Sequence, residues 1–269
     1  MTRNHAYMGD YTVLTELIYG PKIYVDTRDL SMSGHIIMSG FWEKWVTDVF
    51  RETIRPDMTV CDIGSHCGYY ALIAAQLVGT SGKVHCFEPN PLLHDNLFKS
   101  KMINGFYHME IHTVAVADRD KEVTLFVPHH LAASASLSEK VAESVSAVDP
   151  VKPVKVHAIN LEDYLGDVRV DVLKVDIEGY EPYVLPCLLN IMDRADHPRL
   201  FMEFNPKSWT DQGFNCLQLL RGVTDRGYHI DIIRHDSTLF SVSPDELLAS
   251  PTIHSHFDLL ISRNQDGLC

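Results

Sequence analysis

The residues that could do chemistry gather at a few places along the chain. Asp62-Ile63-Gly64-Ser65-His66-Cys67-Gly68 sets a carboxylate directly before a glycine turn. Gly64 permits a tight turn, and Gly68 permits close backbone approach where the next element begins. The spacing is Gly-x-x-x-Gly, which differs from the Gly-x-Gly-x-x-Gly of dinucleotide loops. A carboxylate at Asp62 can receive an ammonium group, directly or through water. Further on, Glu88 precedes Pro89-Asn90-Pro91. An acidic residue that ends the second strand of a nucleotide-binding unit can accept both hydroxyls of a ribose, at roughly 1.5–3 kcal/mol per charge-assisted hydrogen bond. Asp176, Glu178 and Glu181 form a third group, and Glu203 and Asn205 a fourth. Residues two apart share one face of an extended strand, so Glu203 and Asn205 point the same way if the strand continues that far.

These residues need rigid elements to hold them. Thr59–Ile63, Lys83–Glu88, Glu110–Val116, Val170–Asp176 and Arg199–Phe204 are short apolar runs that read as strands. Tyr70–Val78 and Pro91–Asn104 between them read as helices, and His229–Ile233 and Phe257–Ile261 are the last apolar runs. Strands alternating with helices at this spacing predict a doubly wound α/β domain with a mostly parallel sheet. Its ligands belong at the carboxyl ends of the strands, where the acidic residues above fall. Before this unit, Lys22–Val25 reads as a short strand and Phe41–Ile54 as an amphipathic helix ending ahead of Pro56. The expected division is therefore an N-terminal extension over residues 1–55, packed on a catalytic domain over 56–269. The segment 129–153, rich in Ala, Ser and Val, interrupts the rhythm after an extra strand near Glu122–Val127. It reads equally well as a lid or substrate loop and as a surface insertion.

Composition narrows the partners. The 269 residues are 45% apolar, enough for a substantial core, and the net charge is −13. A chain this acidic, without a basic cluster, is not expected to bind nucleic acid. No apolar run approaches the roughly 18 residues of a membrane span, and Met1–Tyr11 lacks the apolar stretch of a signal peptide. The six cysteines, Cys61, Cys67, Cys86, Cys187, Cys216 and Cys269, include no C-x-x-C pair, and several lie in apolar runs. That pattern suits reduced, buried thiols and a cytoplasmic protein.

Taken in order, Asp62-Ile63-Gly64-Ser65-His66-Cys67-Gly68-Tyr69-Tyr70, Phe87-Glu88-Pro89-Asn90-Pro91, Ala115-Val116-Ala117-Asp118, Ser134–Leu137 and Lys174-Val175-Asp176-Ile177-Glu178-Gly179-Tyr180-Glu181 resemble the FkbM-type methyltransferase family. The resemblance spans residues 22–205, and the Lys174–Glu181 stretch is its most specific part. Ser65 and His66 stand where the family's first motif usually has Ala-Asn. The resemblance implies a class I methyltransferase sheet of seven strands, the last antiparallel, with S-adenosylmethionine as methyl donor. Asp62, Gly64, Ser65, His66, Gly68, Glu88, Pro89, Asn90, Ala115, Val116 and Asp176 are then the expected cofactor-binding residues. Many relatives methylate hydroxyls of sugars, glycans or natural products.

Methyl transfer to an aliphatic hydroxyl needs a base for its proton, or a metal that lowers its pKa. Asp176, Glu203 and Glu178 are the expected catalytic residues. Glu178 could equally brace the Gly179 turn, and Glu181 could simply favour a helix start. Asp176, Glu203 and Asn205 offer hard oxygens, so Mg²⁺ is a candidate cofactor there, although Phe204 separates an acid–amide pair that is adjacent in metal-dependent O-methyltransferases on this sheet. In a metal-free site, Asp176 or a histidine such as His129 or His130 would take the proton. Trp42, Trp45 and Trp209 could shape a sugar-stacking surface, with core packing the better reading for Trp45. The leading expectation is O-methylation of a sugar or glycan, and the alternative acceptor is a polyketide or other small hydroxylated metabolite. The Gly-x-x-x-Gly turn argues against a nicotinamide-dependent oxidoreductase, and the intact acids argue against a binding module without catalysis. The sequence does not fix the oligomeric state.

Overall fold

The computed structural model describes residues 4–249 and 256–263. Cys269 lies outside them; the other five cysteines are buried and unpaired, as expected. The chain opens with an antiparallel sheet of β1 (Ala6–Gly9), β2 (Thr12–Glu16) and β3 (Lys22–Asp26), then α1 (Ser33–Ser39) and α2 (Lys44–Thr53). Only β3 of that sheet was legible as a strand. The helix begins at Lys44 rather than Phe41, because Glu43 takes a left-handed backbone conformation at φ 36°.

The alternating unit follows as β4 (Thr59–Ile63), α3 (Tyr69–Val78), β5 (Lys83–Phe87), α4 (Pro91–Asn104) and β6 (Met109–His112). The third expected strand, 110–116, divides here. β6 stays with the main sheet, whereas β7 (Ala115–Ala117) joins β8 (Lys121–Pro128) and β9 (Val151–Asn160) in a separate sheet ordered β7-β9-β8. The segment 129–153 is more regular than expected. A 3₁₀ turn at Ala132–Ser134 and α5 (Glu139–Ser146) precede the start of β9. α6 (Leu161–Leu165) leads to β10 (Val172–Val175), α7 (Glu181–Met192), β11 (Arg199–Phe204), α8 (Pro206–Asp211), α9 (Cys216–Thr224), β12 (His229–Ile233), β13 (Leu239–Val242), α10 (Pro244–Leu248) and β14 (Phe257–Ser262).

The main sheet runs β13-β12-β14-β11-β10-β4-β5-β6. β6, β5, β4, β10 and β11 are mutually parallel, and β14 is antiparallel to both neighbours. This is the seven-stranded doubly wound sheet with its last strand reversed, extended by one edge strand, β13, which pairs with β12. Its strands are buried on both faces, hence their unbroken apolar runs. Cys61, Ile63, Leu173 and Val175 face α7, whereas Val60, Val84, Val172 and Phe201 face α1, α2 and α3. The N-terminal segment also bonds to the parallel unit, with Lys22 N donating to Asn104 Oδ1 and Tyr24 N to Ser100 Oγ.

The turn after β4 crosses close over the end of β10. Gly64 has φ +81°, and a Cβ there would lie 1.8 Å from the Asp176 carbonyl oxygen. A side chain would meet both steric strain and a backbone collision, so Gly64→Ala is expected to cost more than the 1–3 kcal/mol of a left-handed residue alone. Gly222, in α9 with open space around it, is the contrast: Gly222→Ala should stabilise by about 0.5–1 kcal/mol. Urea denaturation of the two variants checks both signs.

Candidate functional site

The register of two parallel strands creates the centre of the site. Lys174 on β10 pairs with Asp62 on β4, so both side chains project from the same face of the sheet. Lys174 is 6% exposed. Its ammonium lies 3.0 Å from Asp176 Oδ2 and 4.4 Å over the Tyr70 ring. Burial works against that charge, but Asp176, Asp62 and Glu43 more than offset it and raise the lysine pKa. Asp62 is buried, with Oδ2 lacking a partner among the described residues. Burial lifts its pKa to about 6 against the pull of Lys174. The ammonium that Asp62 faces is thus the chain's own.

One row further along, more acids line up. Glu203 at the end of β11 is the register partner of Asp258 on β14. Glu43, Lys174, Asp176, Glu203 and Asp258 line one small interior cavity. Tyr70 OH donates to Glu43 Oε2 at 3.2 Å, and Trp45 Nε1 donates to Asp258 Oδ2 at 2.7 Å. Burial raises the pKa of Glu43 to about 7. Burial, then Asp176 and Glu178, raise Glu203 to about 10.

On one side of Asp176 is a cleft at the ends of β4 and β5. Ile63, Gly64, His66, Phe87, Glu88 and Pro89 form its base, and Val114, Ala115 and Val116 one wall. Ala132, Ala133, Ala135 and Leu137 of the 129–153 segment close it. Glu88 Oε2 accepts from His66 N and Oε1 from Asn90 N, both at 2.7 Å. Burial lifts its carboxyl to about 8 against these two bonds. Asn90 caps α4 by accepting from Leu92 N. The His66 ring is buried and neither of its nitrogens has a hydrogen-bond partner among the described residues. Asp29 Oδ2 is 3.8 Å from Nε2, and burial lowers the imidazole pKa. Of the expected cofactor residues, Gly64, His66, Glu88, Pro89, Ala115, Val116 and Asp176 meet in this cleft. Asp62, Ser65, Gly68 and Asn90 stand behind it and support the loop: Ser65 Oγ donates to the Asp62 carbonyl, and Gly68 begins α3.

On the other side lies a polar cavity of about 230 Å³, lined by Lys140, Ser144, Glu178, Glu181, Glu203, Asn205 and Lys207 among others. Glu178 sits at φ 51°, and Ser136 Oγ donates to its carbonyl. Burial and Asp176 push its carboxyl well above the usual range. Glu181 takes the structural role: its Oε1 accepts from Ile177 N and Gly179 N, at 3.0 and 3.3 Å. Burial raises it to about 7.

The Mg²⁺ expectation does not fit. Asn205 Oδ1 is engaged as the cap of α8, accepting from Ser208 N at 3.0 Å. Asn205 lines the polar cavity, which Asp176 does not reach. The cation beside Asp176 is the Lys174 ammonium. His129 and His130 are exposed and line neither cavity. Trp209 is fully buried against Phe204, so it offers no stacking surface. Lys174, Glu43 and Asp258 were not singled out from the sequence. A signal existed for Lys174, a lone charge between Leu173 and Val175 in a fully buried strand.

The sequence pattern of the FkbM methyltransferase domain matches residues 62–230. The chain belongs to the FkbM methyltransferase family. No curated protein matches it significantly. A "putative rRNA-methylase" from Clostridium thermocellum aligns over 83% of this chain and 96% of its own, at 11% identity and TM-score 0.50. An FkbM methyltransferase from Methylobacillus flagellatus aligns over 79% of this chain and 49% of its own, at 14% identity and TM-score 0.46. TYW2 from M. jannaschii, in complex with AdoMet, aligns over 96% and 87%, at 12% identity and TM-score 0.45. Membership of this family implies S-adenosylmethionine, which supplies an electrophilic methyl group, as the cofactor. The cleft fits it: Glu88 offers carboxylate oxygens at a strand end, and the buried His66 nitrogens have no hydrogen-bond partner among the described residues.

The ribose hydroxyls of the cofactor are expected to donate to ionised Glu88, whose carboxyl burial lifts to about 8. Binding therefore favours the carboxylate and should release a proton below pH 8. Affinity for S-adenosylmethionine should rise with pH and level off above 8. Calorimetry in buffers of different ionisation enthalpy is expected to show this proton at pH 7 but not at pH 9. Glu88→Gln should abolish the release and weaken binding by roughly 1.5–3 kcal/mol.

Proposed function

We propose that this methyltransferase transfers the methyl group of S-adenosylmethionine to a hydroxyl of a sugar or glycan. The observation that carries this reading is the cavity beyond Asp176, where carboxylates, lysines and an amide converge. Such a lining suits an acceptor with several hydroxyls, each needing a hydrogen-bond partner once it leaves water. A polyketide or other largely apolar metabolite would leave these groups unpaired. Nucleic acid is disfavoured by the charge of −13 and by the acids around the cavity.

The roles divide by environment. Asp176 adjoins both the cleft and the interior acid cavity, and it accepts the proton of the attacking hydroxyl. Glu203, its carboxyl raised to about 10, donates a hydrogen bond to a neighbouring acceptor oxygen. Glu178 accepts from another hydroxyl of the acceptor. Much of the acceleration comes from holding the acceptor oxygen in line with the methyl group.

The test is a panel of sugars, nucleotide sugars, glycans, phenols and polyketides incubated with S-adenosylmethionine, with products read by mass and fragmentation. The expected product carries one added methyl on a sugar oxygen. Methylation confined to nitrogen, carbon or a phenol would overturn the reading. Asp176→Asn should lower turnover about 10²–10⁴-fold, the usual contribution of a positioned base, while cofactor affinity changes little. Full turnover in that variant would remove Asp176 from the base role.

A further inference from the structure

A second constellation lies on the outer part of the sheet, on strands β5 and β6. His85 and Glu110 are register partners on these parallel strands, and His112 lies two residues beyond Glu110. All three side chains therefore share one face. His85 Nδ1 is 3.1 Å from His112 Nε2 and 3.5 Å from Glu110 Oε2. One ligand atom from each residue falls within 4.8 Å of the other two. A tetrahedral ion with bonds of about 2.0–2.1 Å sets its ligand atoms about 3.3 Å apart, close to this spacing.

The surroundings orient the ligands as a metal site requires. His112 turns Nε2 toward the cluster, while its Nδ1 lies 3.0 Å from Tyr164 OH. A hydrogen bond at the second ring nitrogen is the usual device for fixing a metal-binding imidazole. Phe87 stacks on the same ring at 4.4 Å. His85 is 7% exposed, and its Nε2 has no hydrogen-bond partner among the described residues. Glu110 is 53% exposed, so an ion can enter from solvent.

We propose that His85, Glu110 and His112 bind a divalent transition-metal ion, with Zn²⁺ the best match, at a site separate from the methyl-transfer centre. Two imidazoles and one carboxylate suit Zn²⁺ and its neighbours rather than Mg²⁺ or Ca²⁺. Three protein ligands leave one position for water. The ion ties β5 to β6 and, through Tyr164, to α6. Its effect on the methyl-transfer site is indirect: His85 lies on the strand that leads to Glu88.

The experiment loads chelator-stripped protein with Zn²⁺, removes excess by gel filtration and measures bound metal by mass spectrometry. One ion per chain is expected, with a rise in melting temperature. H112Q and E110Q should each lose it, and Y164F, which keeps all three ligands, should weaken binding about 10–100-fold. Glu110 is a surface position, so E110Q tests the site even if H112Q folds poorly. Unchanged S-adenosylmethionine affinity in E110Q reports that the fold is intact. The described residues hold one other such cluster, His129, His130 and Asp149, in which Asp149 Oδ2 already accepts from His130 N and Leu131 N. The double variant H129Q/H130Q should keep the ion. Less than stoichiometric Zn²⁺ in wild type, retention in E110Q and H112Q, or loss only in H129Q/H130Q would each overturn the proposal.

Discussion

The site depends on one buried ammonium. Asp62, Asp176 and Glu43 crowd around Lys174, and without it these carboxylates would face one another in a low-dielectric interior. Like charges at such range force protonation or rearrangement. Removing one partner from a buried ion pair typically costs about 3–5 kcal/mol. Lys174 therefore allows acidic groups to gather at the carboxyl ends of β4, β10 and β11. The cation among those acids is a lysine from the sheet itself. Its position follows from the β4–β10 register, because a slip of one residue would turn it to the opposite face.

Asp176 lines the cleft and, with Glu203, the small interior cavity, and Glu203 in turn lines the cavity toward α8. Toward β5 the walls are mostly apolar, with Glu88 and His66 as the polar points. Toward α8 the walls are carboxylates, lysines and an amide. The 129–153 segment borders both, with Ala132–Leu137 against the cleft and Lys140–Val145 against the polar cavity. One insertion thus borders the cleft with alanines and Leu137 and the second cavity with Lys140, Val141, Ser144 and Val145. The main sheet provides rigidity, and Gly64 lets the β4 turn approach the end of β10 closely enough for the two sides to meet.

By itself the sequence determined the alternating α/β core, the order of its strands and the residues at their carboxyl ends. Local signals are strong there. Buried parallel strands are continuous apolar runs, Pro91 and Asn90 mark the start of α4, and motifs of fixed spacing carry Asp62, Glu88 and Asp176. Tertiary structure decided what depends on pairing across distance. The division of residues 110–116 between two sheets was invisible, since apolar alternation does not say which partner a strand will find. β9 was hidden for the same reason: its partners β7 and β8 lie earlier in the chain, and its exposed face is polar. The cluster of Lys174, Glu43 and Asp258 joins residues far apart in the chain, and only the strand register and the fold of the N-terminal segment bring them together. The same folding turned Asn205 into a helix cap and buried Trp209. Residue type and spacing announce which groups can do chemistry; which of them face one another is set by long-range packing, and no local pattern encodes it.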